Sequence, residues 1–88
     1  MNTAYALLAR YETPVIELAK VCEEHFNLAA KTAEQKAKVH GLPVPTFKLR
    51  ESSKAPSFVH IDDLAAFIDK QRLEAKKDWD IMQAAKGA

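Results

Sequence analysis

Lys31, Gln35 and Lys38 stand four and three residues apart in the stretch LAAKTAEQKAKVHG, residues 28–41. That spacing gathers them on one side of a helix, with Thr32 and Lys36 flanking them. Lysine ammonium groups neutralise phosphates, and a glutamine amide can pair bidentately with adenine, so the set suits duplex DNA. On the other side Ala29, Ala30, Ala33 and Ala37 share a sector of about 100°, where alanine favours the helix and allows a close approach to a neighbouring one. A second basic group follows within 16 residues of Lys38. In Thr46-Phe47-Lys48-Leu49-Arg50 the alternation sends Phe47 and Leu49 to one face of a strand and Lys48 and Arg50 to the other, with Lys54 just beyond. Each group alone has a plainer explanation. Lysine-bearing helix faces are usually just solvated, Glu34 and Lys38 make an ordinary i,i+4 pair, and exposed lysine protects edge strands. Two adjacent basic projections favour a nucleic-acid footprint.

Other groups capable of chemistry are weaker. Cys22 and His25 are spaced i,i+3, which reads as a buried thiol beside a surface imidazole rather than as metal ligands. Asp62 and Asp63 are sequence neighbours that point about 100° apart on a helix, and capping explains them better than acid–base work. His60 precedes that helix as a capping or packing residue. His40 sits where it favours a helix C-terminus, with a phosphate contact as the sharper alternative. Only Gly41 and Gly87 are glycines, so there is no phosphate-binding glycine loop, no nucleophile with a credible base, and no metal or cofactor signature. The reading is a binding protein, not an enzyme.

Eighty-eight residues suit one compact domain. Of 42 hydrophobic residues 15 are alanine, which leaves 27 larger apolar side chains for a small helical core. A single cysteine permits no internal disulfide, and no apolar run has a signal peptide's plan or a membrane span's length, so a cytoplasmic protein is expected. The net charge of +1 is uneven: residues 1–28 sum to −2, residues 29–54 to +4, and residues 55–88 to −1. The positive charge is local to the two basic projections.

These groups need elements to hold them. Ala4, Leu7, Leu8 and Tyr11 predict a first helix over Thr3 to Tyr11, broken by Glu12-Thr13-Pro14. Val15 and Ile16 lead into a second helix over Glu17 to Phe26, with Leu18, Val21, Cys22 and Phe26 on one face. A brief turn precedes the lysine helix at residues 29–40, which Gly41 is expected to end. Leu42-Pro43-Val44-Pro45 is extended, and residues 46–60 form a hairpin whose return strand is Ser57 to His60. Leu64, Ile68, Ala75, Trp79 and Met82 place a long last helix over residues 61–84, roughly 36 Å in length. That is more than the preceding 60 residues can cover, so Trp79, Ile81 and Met82 are expected to meet a second copy of the chain unless the end folds back or frays. The order predicts a mainly α domain with a small β-hairpin: a winged helix-turn-helix, its helix pair at about 16–41 and its wing at about 46–60.

Taken in order, MNTAYALLARY, VIELAKVCEEHF and VPTFKLRESSKAPSFVHIDDLAAFIDKQR resemble the pyocin activator (PrtN) family of small phage-derived and bacterial regulators. The resemblance runs from Met1 to about Arg72 and rests on the order and spacing of these pieces. It implies a transcriptional activator that binds promoter DNA upstream of phage-like late genes through a winged helix related to those of MerR-type regulators and phage excisionases. The recognition helix departs from the family's pattern, with Ala33 and Ala37 where larger apolar residues are expected and Gln35-Lys36 in place of arginine-lysine, a difference that bears on the target sequence.

The expectation is therefore a sequence-specific regulator, with an excisionase-like architectural role and a protein–protein module built on the long helix as alternatives. Double-stranded DNA is the expected partner, through Lys31, Gln35, Lys36, Lys38, Lys48, Arg50 and Lys54. A homodimer and RNA polymerase are the further partners, and no cofactor is called for.

Overall fold

The structure, a computed structural model, describes residues 2–52 and 54–87. Met1, Ala88 and the expected turn residue Ser53 lie outside them. Asn2 caps helix α1 (Thr3–Tyr11), its Oδ1 accepting the Ala4 amide at 2.8 Å. Glu12 then turns left-handed (φ 60°) and its amide closes on the Leu8 carbonyl, which ends the helix two residues before Pro14.

The chain next forms strand β1 (Val15–Glu17), which the sequence indicated only as an extended approach. Glu17, expected to open the second helix, is still in the strand. Helix α2 (Leu18–Val21) widens without a break into a π-helical turn, Cys22–Phe26, closed by the Asn27 amide on the Cys22 carbonyl with Asn27 left-handed at φ 54°. Helix α3 (Ala30–Lys38) follows. Gly41 does not supply the left-handed residue that ends it. His40 does (φ 54°), one position earlier, with its amide on the Ala37 carbonyl at 3.1 Å and the Gly41 amide on the Lys36 carbonyl at 2.8 Å. This pair of bonds is a Schellman closure with histidine at the strained position.

Strand β2 is Phe47–Lys48 alone, shorter than the expected Thr46 to Arg50. It pairs with β3 (Ser57–His60) in the register Phe47 to Phe58 and Lys48 to Ser57. Continued outward, that register sets Leu49 against Pro56 and Pro45 against His60. Neither proline has an amide to donate, so the ladder stops at both ends. Leu49, beyond the ladder, is exposed, and Phe47 within it is exposed as well, its ring 6.4 Å from that of Phe58. The other edge of β3 pairs antiparallel with β1, Ile16 opposite Val59, so β3 is the middle strand of a three-stranded sheet.

Helix α4 (Ile61–Gly87) begins directly from β3. The Ile61 amide bonds to the Pro14 carbonyl at 2.8 Å, His60 Nδ1 accepts the Asp62 amide at 3.0 Å, and Asp62 and Asp63 occupy the first turn as the dipole favours. His60 thus caps the helix. One core joins Leu7, Ile16, Leu18, Val21, Cys22, Ala33, Ala37, Val44, Val59, Ile61, Leu64 and Ala65. Phe26 packs edge-on against Phe67 at 5.3 Å, and the Thr3 hydroxyl donates to Asp69 at 2.6 Å, fastening α1 to α4. From residue 69 to 87 every residue of α4 is exposed, Ala75, Trp79, Ile81 and Met82 included. The molecule is 58 Å in its longest dimension, because about 28 Å of helix stands clear of the body. The fold is mainly helical, with a small antiparallel sheet and a long final helix.

Candidate nucleic-acid interface

Ala33 and Ala37 settle which way α3 faces. They are 0% and 9% exposed and bring the helix against α2, so Lys31, Gln35, Lys36 and Lys38 all stand in solvent on the remaining sides. Ala29 and Ala30 do not join the packed sector as expected. The Asn27 turn carries the start of α3 away from α2 and leaves an open cleft lined by Ala19, Glu23, Asn27, Leu28 and both alanines. No side chain caps this end of α3, so its first amides face outward beside Lys31.

The hairpin stands next to the other end of the helix. A groove between them is lined by Ala37, Lys38, His40, Thr46, Phe47, Lys48 and Ser57, which places Lys38 and His40 on one rim and Lys48 on the other. Lys48 Nζ also donates to the Ser52 carbonyl at 3.3 Å, fixing the lysine on the hairpin it extends from. Arg50 and Lys54 are exposed in the connection between β2 and β3. The seven residues predicted to meet DNA are therefore all exposed, and Lys38 and Lys48 share one groove.

Glu34 supplies the link that the sequence does not reveal. Its expected partner was Lys38. Instead Oε1 accepts the Ser57 amide at 3.1 Å and Oε2 the Ser57 hydroxyl at 2.9 Å, with Ser57 itself buried. The one carboxylate on α3 is thus directed into the hairpin, and the outward side of the helix keeps ammonium, amide and hydroxyl groups. A buried serine opening an otherwise apolar strand is a faint signal of such a link, and nothing in the sequence points to its partner 23 residues away.

A second polar cluster joins α1 to the π-helical turn. The Tyr11 hydroxyl donates to Glu24 Oε2, the His25 Nε2 lies 2.9 Å from the same hydroxyl, and Arg10 reaches Glu24 at 2.8 Å. With its only proton given to Glu24, the Tyr11 hydroxyl can bond His25 only as an acceptor. Burial, and then the carboxylate of Glu24, push the Tyr11 hydroxyl up to about 12. The Tyr11 hydrogen bond, and then Arg10, hold Glu24 below the usual carboxylate range. Cys22 is buried in the core, its thiol raised by that burial and donating to the Ala19 carbonyl at 3.3 Å. Among the described residues no three histidine, cysteine, aspartate or glutamate side chains gather as a metal site needs, and no helix is long and apolar enough to cross a membrane.

The arrangement sets donors on a helix beside donors on a neighbouring hairpin, with a carboxylate bond joining the two elements. Compared with known proteins, the chain matches the family model described as pyocin activator protein PrtN over residues 3–75. No curated protein and no solved structure matches it.

Proposed function

Because the chain belongs to the pyocin activator family, we propose that it is a sequence-specific, double-stranded-DNA-binding regulator that activates transcription of pyocin-type or other phage-like genes. In this reading residues 1–88 are one winged helix-turn-helix domain acting in the cytoplasm, with α2 and α3 as the helix pair and the β2–β3 hairpin as the wing. Helix α3 enters the major groove. Gln35 reads a base edge there, Lys31, Lys36 and Lys38 meet phosphates, and Lys48, Arg50 and Lys54 on the wing meet phosphates or the adjacent minor groove. RNA polymerase is the machinery such an activator must reach.

The observation that carries this reading is the union of the two basic projections. They border a single groove and are tied together by Glu34 and Ser57, so they can engage one duplex as a unit. Lysine faces that merely solubilise have no need of a fixed spacing.

Fluorescence anisotropy at two salt concentrations tests it, using DNA from upstream of the neighbouring phage-like genes and a random duplex. Tight, competitor-resistant binding to the upstream DNA is expected, and absence of binding to either duplex at low salt sinks the proposal. A reporter fused to the bound sequence then separates activation, which raises transcription, from an excisionase-like architectural role, which leaves it unchanged.

A further inference from the structure

Helix α4 carries its buried face past the body that buries it. Steps of four and three residues from Ile61 give Ile61, Ala65, Ile68, Arg72, Ala75, Trp79, Met82 and Lys86. At 100° per residue these stay within a band about 100° wide. Ile61 and Ala65 are buried and Ile68 packs on the core, whereas Trp79 and Met82, on the same stripe, are 62% and 56% exposed. The four-three spacing is the one that fits side chains between those of a second helix. Among the described residues none covers Trp79 or Met82.

We propose that residues 72–86 of α4 pair antiparallel with the same segment of a second copy. Direction follows from the body. The body packs on the first turns of α4, with α1 against the helix and Thr3 bonded to Asp69, so a parallel pair would bring both bodies to the same end, where paired helices allow only about 8–10 Å between axes. An antiparallel pair puts the bodies at opposite ends. Register follows from side-chain size: the alignment that sets Trp79 opposite Ala75 also sets Met82 opposite Arg72 and Lys86 opposite Ile68. The largest side chain then faces the smallest, twice over by the two-fold symmetry, and the arginine stem lies along a methionine. Lys76, which flanks the axis, is already paired with Asp80 at 3.2 Å and does not repel its own copy as a bare charge. Asp78 on the other flank does oppose its copy. With that repulsion and a contact about 22 Å long, the dimer is a weak one of micromolar order.

Trp79 is the only tryptophan in the chain, so it reports the contact directly, with no DNA present. Raising the full-length protein from low micromolar to submillimolar is expected to shift its emission to the blue while sedimentation mass doubles. Ala75→Glu, at an exposed helix position, is expected to abolish both changes and leave helicity intact. Ile81→Ala is expected to leave both, because Ile81 points about 100° away from Met82 around the helix. A chain that stays monomeric with unshifted emission overturns the proposal, and so does a dimer that survives Ala75→Glu or is lost with Ile81→Ala.

Discussion

Ser57 binds both carboxylate oxygens of Glu34, its amide donating to Oε1 and its hydroxyl to Oε2. The bond spans 23 residues of sequence and joins α3, which carries Lys31, Lys36 and Lys38 outward, to the central strand of the sheet. On the helix proposed to face DNA, an outward acid among the lysines would ordinarily oppose binding. Turned inward, it positions the hairpin.

Glu34→Ala leaves a buried serine hydroxyl and amide without their charged acceptor. A loss of about 2 kcal/mol in folding stability by urea denaturation is expected, and about 1 kcal/mol for Ser57→Ala. Should the hairpin and helix act together, Glu34→Ala also narrows the gap in affinity between the specific duplex and a random one, measured well below the variant's melting temperature.

The Tyr11–Glu24 pair predicts two limbs of pH dependence. Glu24 has a folded pKa below its unfolded one, so its contribution is full above the usual carboxylate range and is lost as the pH falls through the folded value. Tyr11 has a folded pKa raised from 10.0 to about 12, so its contribution is full below pH 10 and is lost as the pH rises from 10.0 toward 12. Urea midpoints across pH should fall at both extremes, and Tyr11→Phe should flatten both limbs. Unchanged limbs in that variant would show that other groups set them.

Charge and sequence reading separate on the proposed interface. Lys54→Ala should weaken binding alike on all duplexes and reduce the slope of log affinity against log salt by about one. Gln35→Ala should leave the slope alone and cost about 1–3 kcal/mol at one base position of the preferred site. Competition shifts with single-base variants of the duplex distinguish the two.

Leu64 and Leu73 sit on the same helix, one fully buried and the other half exposed. Leu64→Ala should cost 2–5 kcal/mol, of the order found for leucines deleted from packed cores, while Leu73→Ala should change stability by less than about 0.5 kcal/mol. Thermal melts of the two variants side by side measure the difference between the anchored and the projecting parts of α4.

The helices and their order were legible because they repeat locally: the bounds of α1 coincide with the spacing of Ala4, Leu7 and Tyr11, and Pro14 marks its end. What depends on distant partners was not. Val15-Ile16-Glu17 is too short to announce a strand, and its partner β3 lies more than forty residues on. The hairpin strand was read too long because the limit comes from prolines on both sides of the register, Pro45 and Pro56, rather than from Thr46 to Arg50 themselves. At the end of α3 the general preference for glycine pointed to Gly41, whereas the closing bonds fall one residue earlier and place His40 in the left-handed region. The outward placement of Lys31, Lys36 and Lys38 was visible from period alone. Their connection to the hairpin was not, since Glu34 had a closer apparent partner in Lys38.

The middle position of β3 also governs how the chain acquires its shape during synthesis. Until Ser57 to His60 has left the ribosome, neither β1 nor β2 has a strand to pair with, Glu34 has no donor to receive, and Pro14 has no Ile61 amide to bind. The sheet, the tie from α3 to the hairpin and the tie from Pro14 to α4 therefore all wait on one short segment late in the chain.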